Sequence, residues 1–355
     1  MNLNFTRKKM VKKISVLLSS LLVFSFTQAQ DFHLTQYDAA ALNLNPSMTG
    51  MFSGYYRVHA HYRTQWAALA THPFQTMEIA YDMPYKNFSF GGQLMDYTAG
   101  TGNYNVFSFE ASGAYDKAVD KNGNHHLAGG LQLGLIQKSV NMAKLNFGNQ
   151  YTYANGGGFD NTLPNGEPVM ATSKIIPDVN LGLTYYFSKE DFRINPFIGF
   201  SASHITNPNE SVFSATDNKL PVKYIIHGGC KVNITETIQL LPKFLVMHQI
   251  NDKEMTMSLF LNYYLRQQDA FLIFGPTFRL SGPLSKKNAT IEQLEKDAAA
   301  IELGMKYGRY TYRVSYDINT SSLNPYSNGR GGLELSVTYI GRKQKPNPII
   351  NCPRL

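Results

Sequence analysis

Residues 55–66 read Tyr-Tyr-Arg-Val-His-Ala-His-Tyr-Arg-Thr-Gln-Trp, and this stretch decides the fold. Every second residue from Tyr56 to Trp66 is mostly apolar, and the residues between them, from Arg57 to Gln65, are cationic or polar. Side chains of a β-strand point to opposite faces in turn, so the stretch predicts a strand with one apolar and one polar face. A half-buried strand of a soluble sheet shows the same pattern. The stretch is also long enough to cross a bilayer at a tilt, which takes about 9–11 residues.

The alternation recurs and predicts fourteen strands within residues 54–342, an even number as single-chain bacterial outer-membrane barrels require. Alternate connections along the chain fall into a short set (85–86, 189–192, 234–236, 267–268, 308–309) and a long set (140–175, 206–220, 281–297, 320–330), with 118–124 and 251–253 as two exceptions. Short periplasmic turns and long outer loops are typical of such barrels, whereas a soluble sandwich has no reason to sort its loops. We therefore predict an all-β fold: a transmembrane, antiparallel, up-and-down β-barrel in the bacterial outer membrane.

The ends of the chain are predicted to lie outside the barrel wall. Residues 1–29 have a basic start, an apolar centre and Thr-Gln-Ala before the expected cleavage site, as a signal peptide does. Residues 30–53 lack strand periodicity and form a periplasmic or lumenal segment, and residues 343–355 form a periplasmic tail. Two cysteines, Cys230 and Cys352, are too few for a disulfide framework and are expected to be free thiols.

The composition favours a membrane environment over nucleic acid. Only 16% of the 355 residues are charged, below the quarter or so of a soluble domain, and 13% are aromatic. The formal net charge of +8 includes five basic residues of the leader, which has no acidic residue, so its removal leaves +3. We expect outer-membrane lipid, and no nucleic acid, among the binding partners.

Charged residues at polar positions of the first strands predict a network that lines the lumen. Its members are Arg57, His59, Arg63, Glu78, Asp82 and Glu110. With residues 67–74 as the turn, antiparallel register places Arg63 opposite Glu78 and His59 opposite Asp82. Such cross-strand pairs are favourable by about 0.2–1 kcal/mol each. The interior is therefore expected to be polar, and the sequence leaves open whether residues 30–53 plug it.

No pattern in the sequence indicates catalysis or a cofactor. His59 and His61 share a strand face, but no cysteine or nearby carboxylate on that segment completes a tetrahedral metal site. There is no Ser/His/acid constellation, zinc-protease helix, Walker loop or dinucleotide fingerprint. The run Gly156-Gly157-Gly158 lacks the lysine of a phosphate-binding loop and indicates loop flexibility. We expect a protein without enzymatic activity, metal or cofactor.

Short motifs spread over the mature chain carry a resemblance to a known family. They comprise Asn45, Pro46 and Gly50; Tyr62, Arg63, Gln65 and Trp66; Asp96 and Gly100; His204 and Pro208; Asp317; Gly332, Glu334 and Ser336; and the terminal Cys-Pro-Arg-Leu. In this order they resemble the PorP/SprF-type outer-membrane proteins of the type IX secretion and gliding motility system of Bacteroidetes. Ser47 and Leu355 depart from the alanine and the terminal aromatic residue of that pattern.

The resemblance implies a role in protein secretion that the composition does not show. Family members assist the export or surface anchoring of a large adhesin through its C-terminal domain, and others are partners of periplasmic lipoproteins or ring subunits of the secretion machine. The alternative from a different class is an outer-membrane channel or transporter for small solutes, because a barrel of this strand number can enclose a water path. Lumenal residues such as Arg57 and Glu110 would then set selectivity.

Overall fold

The computed structural model describes residues 32–67, 72–100, 102–153, 156–166, 173–189, 192–211, 218–250, 252–283 and 294–341. The predicted leader (1–29) and tail (343–355) lie outside these residues, as does Cys352, whereas Cys230 is a free thiol. No helix in the described ranges is long and apolar enough to cross a bilayer. The described residues form two α-helices, α1 (Ala41–Leu44) and α2 (Asn324–Ser327), of four residues each.

Fourteen long strands form the wall of the molecule, and a two-stranded hairpin of β6 (Tyr151–Thr152) and β7 (Gly158–Phe159) lies in a connection. The wall strands are β1 (Tyr56–Gln65), β2 (Phe74–Tyr85), β3 (Phe88–Ala99), β4 (Tyr104–Ala118), β5 (His125–Ser139), β8 (Ser173–Phe187), β9 (Ile194–Ser203), β10 (Lys223–Asn233), β11 (Ile238–Gln249), β12 (Asp252–Leu265), β13 (Ala270–Pro283), β14 (Glu295–Tyr307), β15 (Tyr310–Asn319) and β16 (Arg330–Gly341).

Each wall strand pairs with its neighbours in antiparallel register, and the barrel closes where β1 pairs with β16. The closing ladder runs from Tyr56 opposite Gly341 to Gln65 opposite Gly332. Closure removes both edges of the sheet, so that its backbone groups are paired within the wall, as a bilayer requires. The prediction of a 14-stranded antiparallel barrel is confirmed.

Strand β2 shows how the sequence pattern builds a membrane wall. Its outward side chains Met77 and Ile79 are 50% and 59% exposed, whereas the inward Thr76 and Glu78 are 4% and 2% exposed. The same alternation of exposed apolar and buried polar side chains continues around the barrel. This inside-out arrangement is expected when lipid covers the outer surface and the polar side chains line an enclosed interior.

Most connections at one end of the barrel are short turns, and the longest connections lie at the other end, where the β3–β4 and β11–β12 connections are also short. The turn from β2 to β3 has Lys86 at φ 56°, and the turn from β14 to β15 has Gly308 at φ 58°. Positive φ at these positions gives the twist that tight hairpins need. The short turns mark the periplasmic end, and the long connections, including the β6–β7 hairpin, mark the outer end.

The register predicted between β1 and β2 is wrong by two residues. Glu78 faces His61 rather than Arg63, and Asp82 faces Arg57 rather than His59. The turn begins one residue earlier than predicted because Trp66 adopts φ 59° and leaves the strand. Its ring packs edge-on against Phe74 at 4.9 Å between centroids, and Phe74 joins β2. A shift of two residues keeps every side chain on its predicted face.

The lipid-facing assignment predicts a depth-dependent cost of charge. Leu133, near the centre of β5, and Leu127, near its periplasmic end, are both outward and 54% and 49% exposed. Leu133→Arg should lower the free energy of unfolding by about 2–4 kcal/mol, and Leu127→Arg by about 0–1 kcal/mol. Guanidinium titration in lipid vesicles, followed by the fluorescence of the single tryptophan, Trp66, measures both. An equal cost at the two positions would contradict the membrane placement.

Candidate functional site in the barrel lumen

Residues 33–53, here called the lumenal segment, lie inside the barrel. Between Leu34 and Thr49 every residue except Ala39 and Asn43 is buried. Side chains from twelve of the fourteen wall strands come within 3.5 Å of the polar atoms of the segment. The segment has little regular structure, only α1 and a 3₁₀ turn at Pro46–Met48, so most of its backbone polar groups depend on partners outside a helix or sheet.

Four charged side chains of the wall form the outer charge cluster: Arg63, Arg279, Asp317 and Glu334. Arg63 donates to Glu334 and, at 3.1 Å, to the Oδ2 atom of Asp317, which also accepts from Arg279 at 3.1 Å. All four residues are at most 4% exposed. Two guanidinium groups are thus balanced by two carboxylates, the condition under which buried charge is tolerated.

The lumenal segment completes the hydrogen bonding of the outer charge cluster. The backbone N–H groups of Thr35 and Gln36 donate to the two oxygens of Glu334 at 2.6 and 2.8 Å. The Thr35 hydroxyl donates to Asp317 at 2.7 Å and accepts from both arginines at 3.0 Å. Hydrogen bonds to charged groups contribute about 1.5–3 kcal/mol each, so these contacts hold the start of the segment against β15 and β16.

A second group of charges, the inner charge cluster, consists of Asp38, Lys243, Glu302 and Arg313. Asp38 accepts from Lys243 at 2.5 Å and from Arg313 at 2.9 and 3.1 Å, and Arg313 also donates to Glu302. Burial alone would raise the pKa of Asp38, but the charges and hydrogen bonds of Arg313 and Lys243 outweigh it and hold that pKa below its usual range. Asp38 is therefore ionised and anchors the middle of the segment.

The motif Asn45-Pro46-Ser47 forms a turn that fits a recess in the wall. The Oδ1 atom of Asn45 accepts from the Ser47 N–H at 3.0 Å, and its Nδ2 atom donates to the Leu183 and Phe200 carbonyls at 3.2 Å. The Ser47 hydroxyl lies 2.7 Å from that of Thr184. These bonds tie the turn to β8 and β9.

Glycines of the wall make the recess. A Cβ atom at Gly130 would stand 2.3 Å from the Pro46 carbonyl carbon, and one at Gly182 would stand 1.9 Å from the Asn45 Oδ1 atom. These two glycines are direct cross-strand partners on β5 and β8. Any side chain there would displace the turn, so the wall and the lumenal segment are fitted to each other.

Asp82 fixes the end of the lumenal segment where the chain passes into β1. Its Oδ1 and Oδ2 atoms accept from Arg57 at 2.9 and 2.7 Å, and Oδ2 also accepts from the Gly50 N–H at 2.7 Å. Gly50 has φ +73°, and a Cβ atom there would lie 2.2 Å from the Ser89 hydroxyl oxygen. The cross-strand pair predicted for Asp82 thus forms with Arg57, and it holds the segment as well as the wall.

Three residues of the predicted lumenal network, His59, Glu78 and Glu110, lie on the inner wall, and within the described ranges none of them forms an ion pair with either charge cluster. The His59 Nδ1 atom is 2.9 Å from the Thr338 hydroxyl, and Glu110 accepts from Gln93 at 2.6 Å. Glu78 is cross-strand from His61, and neither of its buried oxygens has a hydrogen-bond partner among the described residues. The network therefore does not form one connected chain of ion pairs.

The other family-motif residues support turns and strand ends. His204, at φ 61°, bonds to Asp178 at 2.9 Å, and the Pro208 carbonyl accepts from Leu220. Asp96 accepts from Asn105 at 2.6 Å, and Ser336 donates to Gln36 at 2.6 Å. The rest occupy β1, β16 and the turns that follow β1 and β3: Tyr62, Gln65, Trp66, Gly100 and Gly332.

The sequence analysis named Arg63, Asp82, Asp317 and Glu334 but missed three of the basic residues that receive the lumenal segment. Lys243, Arg279 and Arg313 are basic residues at inward-facing positions of β11, β13 and β15. The alternation of inward and outward residues along these strands could therefore have identified them as lumenal. No periodic signal marked Thr35 or Asp38, since the lumenal segment has no repeating structure. Within the described ranges, no group of three or more His, Cys, Asp or Glu residues is placed to hold a metal ion.

Comparisons with known proteins agree with this architecture. The structure is similar to that of a deltaS2 mutant of the TodX monoaromatic hydrocarbon channel (TM-score 0.50, 9% identity, 85% of this chain and 93% of that chain). It is also similar to the CymD monoaromatic hydrocarbon channel (TM-score 0.48, 11% identity, 86% and 94%) and to the Ralstonia pickettii toluene transporter TbuX (TM-score 0.48, 8% identity, 86% and 93%). A search of curated protein sequences gives no match.

The fold and the comparisons define the class as an integral β-barrel of the outer membrane. The sequence profile of the family described as "Type IX secretion system membrane protein PorP/SprF" matches residues 26–339, which is most of the chain. The chain belongs to this family, and the resemblance seen in the sequence is confirmed. It is an outer-membrane component of the type IX secretion system.

The glycine recess predicts that a single methyl group added at Gly130 makes the lumenal segment open more often. In a variant with serine at both cysteine positions, Ser47→Cys reports on this, because Ser47 is 1% exposed. Adding Gly130→Ala should raise the rate of maleimide alkylation about tenfold, equal to about 1.4 kcal/mol of opening free energy. Gly113→Ala is the matched control, since its Cβ atom meets nothing closer than 3.9 Å. Equal rates in the two variants would show that the segment does not occupy the recess.

The inner charge cluster predicts that the loss of stability caused by Asp38→Asn depends on pH. The pKa of Asp38 is lower in the folded protein than the usual value near 3.9, so its contribution is complete above about pH 5 and is lost as the pH falls through the folded value. Asp38→Asn should cost about 3–5 kcal/mol at pH 7 because it leaves Lys243 and Arg313 short of a charge partner. Guanidinium unfolding at pH 7, 5 and 3 measures the difference in free energy of unfolding between the unmodified protein and the Asp38→Asn variant. This difference should be smaller at pH 3 than at pH 7. A constant difference, or an equal effect of Asp269→Asn in an exposed turn, would contradict the assignment.

Proposed function

We propose that this barrel assists the export or surface anchoring of a large adhesin-like partner, and that it acts by binding proteins. The observation that carries this proposal is the occupied lumen: the lumenal segment contacts twelve wall strands and is buried along most of its length. A barrel filled by its own chain offers partners its outer loops and its periplasmic end. Membership of a secretion family supports the same role.

The β6–β7 hairpin supports the outer loops as the cargo-binding surface. Tyr151, Tyr153 and Phe159 form an aromatic cluster there, with ring centroids 5.3–5.4 Å apart. Tyr153 is 88% exposed and Phe159 is 53% exposed, in a loop at the outer end. Aromatic side chains are enriched among residues that dominate protein–protein binding energy. In this proposal the cluster contacts the C-terminal domain of the adhesin-like cargo.

The periplasmic end would connect the barrel to the rest of the machine. In this proposal residues 1–29 are removed on export, and the tail, residues 343–355, contacts periplasmic lipoprotein or ring subunits. Family and fold are those of a secretion component rather than of an enzyme, and the proposed role needs no catalytic group.

The second candidate function is a channel or transporter for small solutes. It is favoured by the fold, since the TodX structure with the same overall shape is named a monoaromatic hydrocarbon channel. A likeness at 9% identity concerns the fold and not the substrate. Conduction would also require a path past the lumenal segment, which is tied down by two charge clusters. We therefore favour protein binding.

The aromatic cluster predicts a loss of cargo at the cell surface. Replacing Tyr151, Tyr153 and Phe159 by serine should reduce surface-displayed adhesin several-fold while the barrel remains folded. Surface labelling with an antibody to the cargo, together with heat-modifiable mobility of the barrel on gels, measures both properties. Val119→Ser is the control, because Val119 is 59% exposed but lies in a periplasmic connection. Unchanged display in the triple variant would remove the outer-loop assignment.

Planar-bilayer recording discriminates the two candidate functions. The purified barrel should give no conductance steps, whereas an open porin in the same bilayers gives regular steps. Liposome swelling with small sugars should likewise be absent. Regular conductance from the unmodified protein would favour the channel and count against a sealed, protein-binding barrel.

A further inference from the structure

A cavity of about 610 Å³ opens at the end of the barrel that carries the short turns. We call it the periplasmic vestibule. Its floor is the lumenal segment, which contributes Met48, Met51 and Phe52, and its rim includes the β10–β11 turn from Ile234 to Glu236. A volume of this size is within the range of about 300–1,000 Å³ that ligand sites occupy. The vestibule is separate from the outer loops discussed above.

Basic side chains predominate around the vestibule. The lining includes six of them: Arg57, Lys189, Lys231, Lys243, Lys306 and Arg313. Only Asp38 and Glu236 are acidic. Asp82 and Glu302, just outside the lining, pair with two of the arginines. Such a concentration of one sign of charge within low-dielectric walls attracts anionic ligands.

One wall of the vestibule is apolar, unlike most of the lumen. Leu241, Phe260, Phe271 and Ile273 point inward from the adjacent strands β11, β12 and β13. Elsewhere most buried inward positions carry polar or charged side chains, and smaller apolar groups such as Ile136 with Ile176 and Ile225 with Leu245 lie among them. Apolar side chains beside basic ones favour a ligand that has both a hydrophobic group and negative charge.

The spacing of the lysines favours an extended ligand over a compact one. Lys231 is on β10 and Lys306 is on β14, four strands apart, and neighbouring strands are about 4.8 Å apart, so the two positions are separated by about 19 Å of wall. An extended peptide advances about 3.3 Å per residue and covers that distance with about six residues. A single carboxylate on a small molecule reaches only one of these positions.

We propose that the periplasmic vestibule binds an acidic peptide segment, with at least one aromatic or aliphatic side chain, from a periplasmic partner protein. The proposal rests on the proposed function, for which it supplies the docking site on the periplasmic side. The chain's own tail does not fit this chemistry, because residues 343–355 contain three basic and no acidic side chains. The apolar wall receives the hydrophobic side chain, and the lysines on β10 and β14 bind the carboxylates.

Fluorescence anisotropy with the full mature protein in nanodiscs tests the proposal. The probe is a labelled peptide, Glu-Asp-Phe-Glu-Asp-Phe-Glu, compared with a peptide in which lysine replaces each acidic residue and one in which serine replaces each phenylalanine. The acidic, aromatic peptide should bind at least about tenfold more tightly than either control, and its affinity should fall with added salt. Equal binding of the acidic and basic peptides, or no binding of the acidic one, overturns the proposal.

Charge reversal locates the binding to the vestibule. Lys231→Glu with Lys306→Glu should weaken binding of the acidic peptide about tenfold or more. The matched control is Lys86→Glu with Lys121→Glu, which reverses two lysines at the same end of the barrel that do not line the vestibule. Heat-modifiable gel mobility checks that both variants fold. An equal loss in the two double variants would show that the attraction is non-specific and would overturn the proposal.

Dodecanoate binding and surface display of cargo distinguish a failure of the vestibule proposal from a failure of the proposed function. If dodecanoate binds and the acidic peptide does not, the vestibule is a site for small hydrophobic anions and the proposal is wrong. Surface display of cargo depends on the outer loops and is measured in cells, so it tests the proposed function independently. Peptide binding that fails while display still depends on the aromatic cluster would overturn only the vestibule proposal.

Discussion

Charge enclosed inside a protein has to be paired, and this constraint organises the interior of the barrel. Arg63 and Arg279 are paired with Asp317 and Glu334, but Arg63 donates to the Oε1 atom of Glu334 alone, so the other lone pairs of this buried carboxylate need further donors. The backbone N–H groups of the lumenal segment supply the missing donors to Glu334. The wall and the segment are therefore mutually dependent: without the segment, the cluster would need water or another donor in its place.

The same dependence explains why scattered motifs belong together. Asn45, Gly50, Arg63, Asp317 and Glu334 are far apart in sequence, yet each lies where the lumenal segment meets the wall. A family that keeps its N-terminal segment inside the barrel would need these contacts whatever its cargo. In the function proposed above, partners bind instead at the outer loops and the periplasmic vestibule.

The sequence predicted the wall well because membrane strands impose a period of two on every segment that crosses the bilayer. The number of strands and the inward or outward direction of each side chain follow from that period. Once the strands are located, the lengths of the connections at each end of the barrel follow as well. The register between β1 and β2 does not follow from the period, because it depends on Trp66 leaving the strand and packing on Phe74. The sequence left the position of residues 33–53 open between the periplasm and the lumen, because the segment contacts residues up to 300 positions away and no local period records such contacts.

Hydrogen–deuterium exchange of the lumenal segment tests the central claim most directly. The amide N–H groups of Thr35 and Gln36 are bonded to a buried carboxylate and should exchange as slowly as those of the wall strands, over hours rather than seconds. Mass spectrometry of peptides from residues 33–53, with the protein in nanodiscs, gives this rate. Protection equal to that of β15 and β16 is the predicted result. Complete exchange within seconds would show that the segment is outside the lumen and would contradict the account.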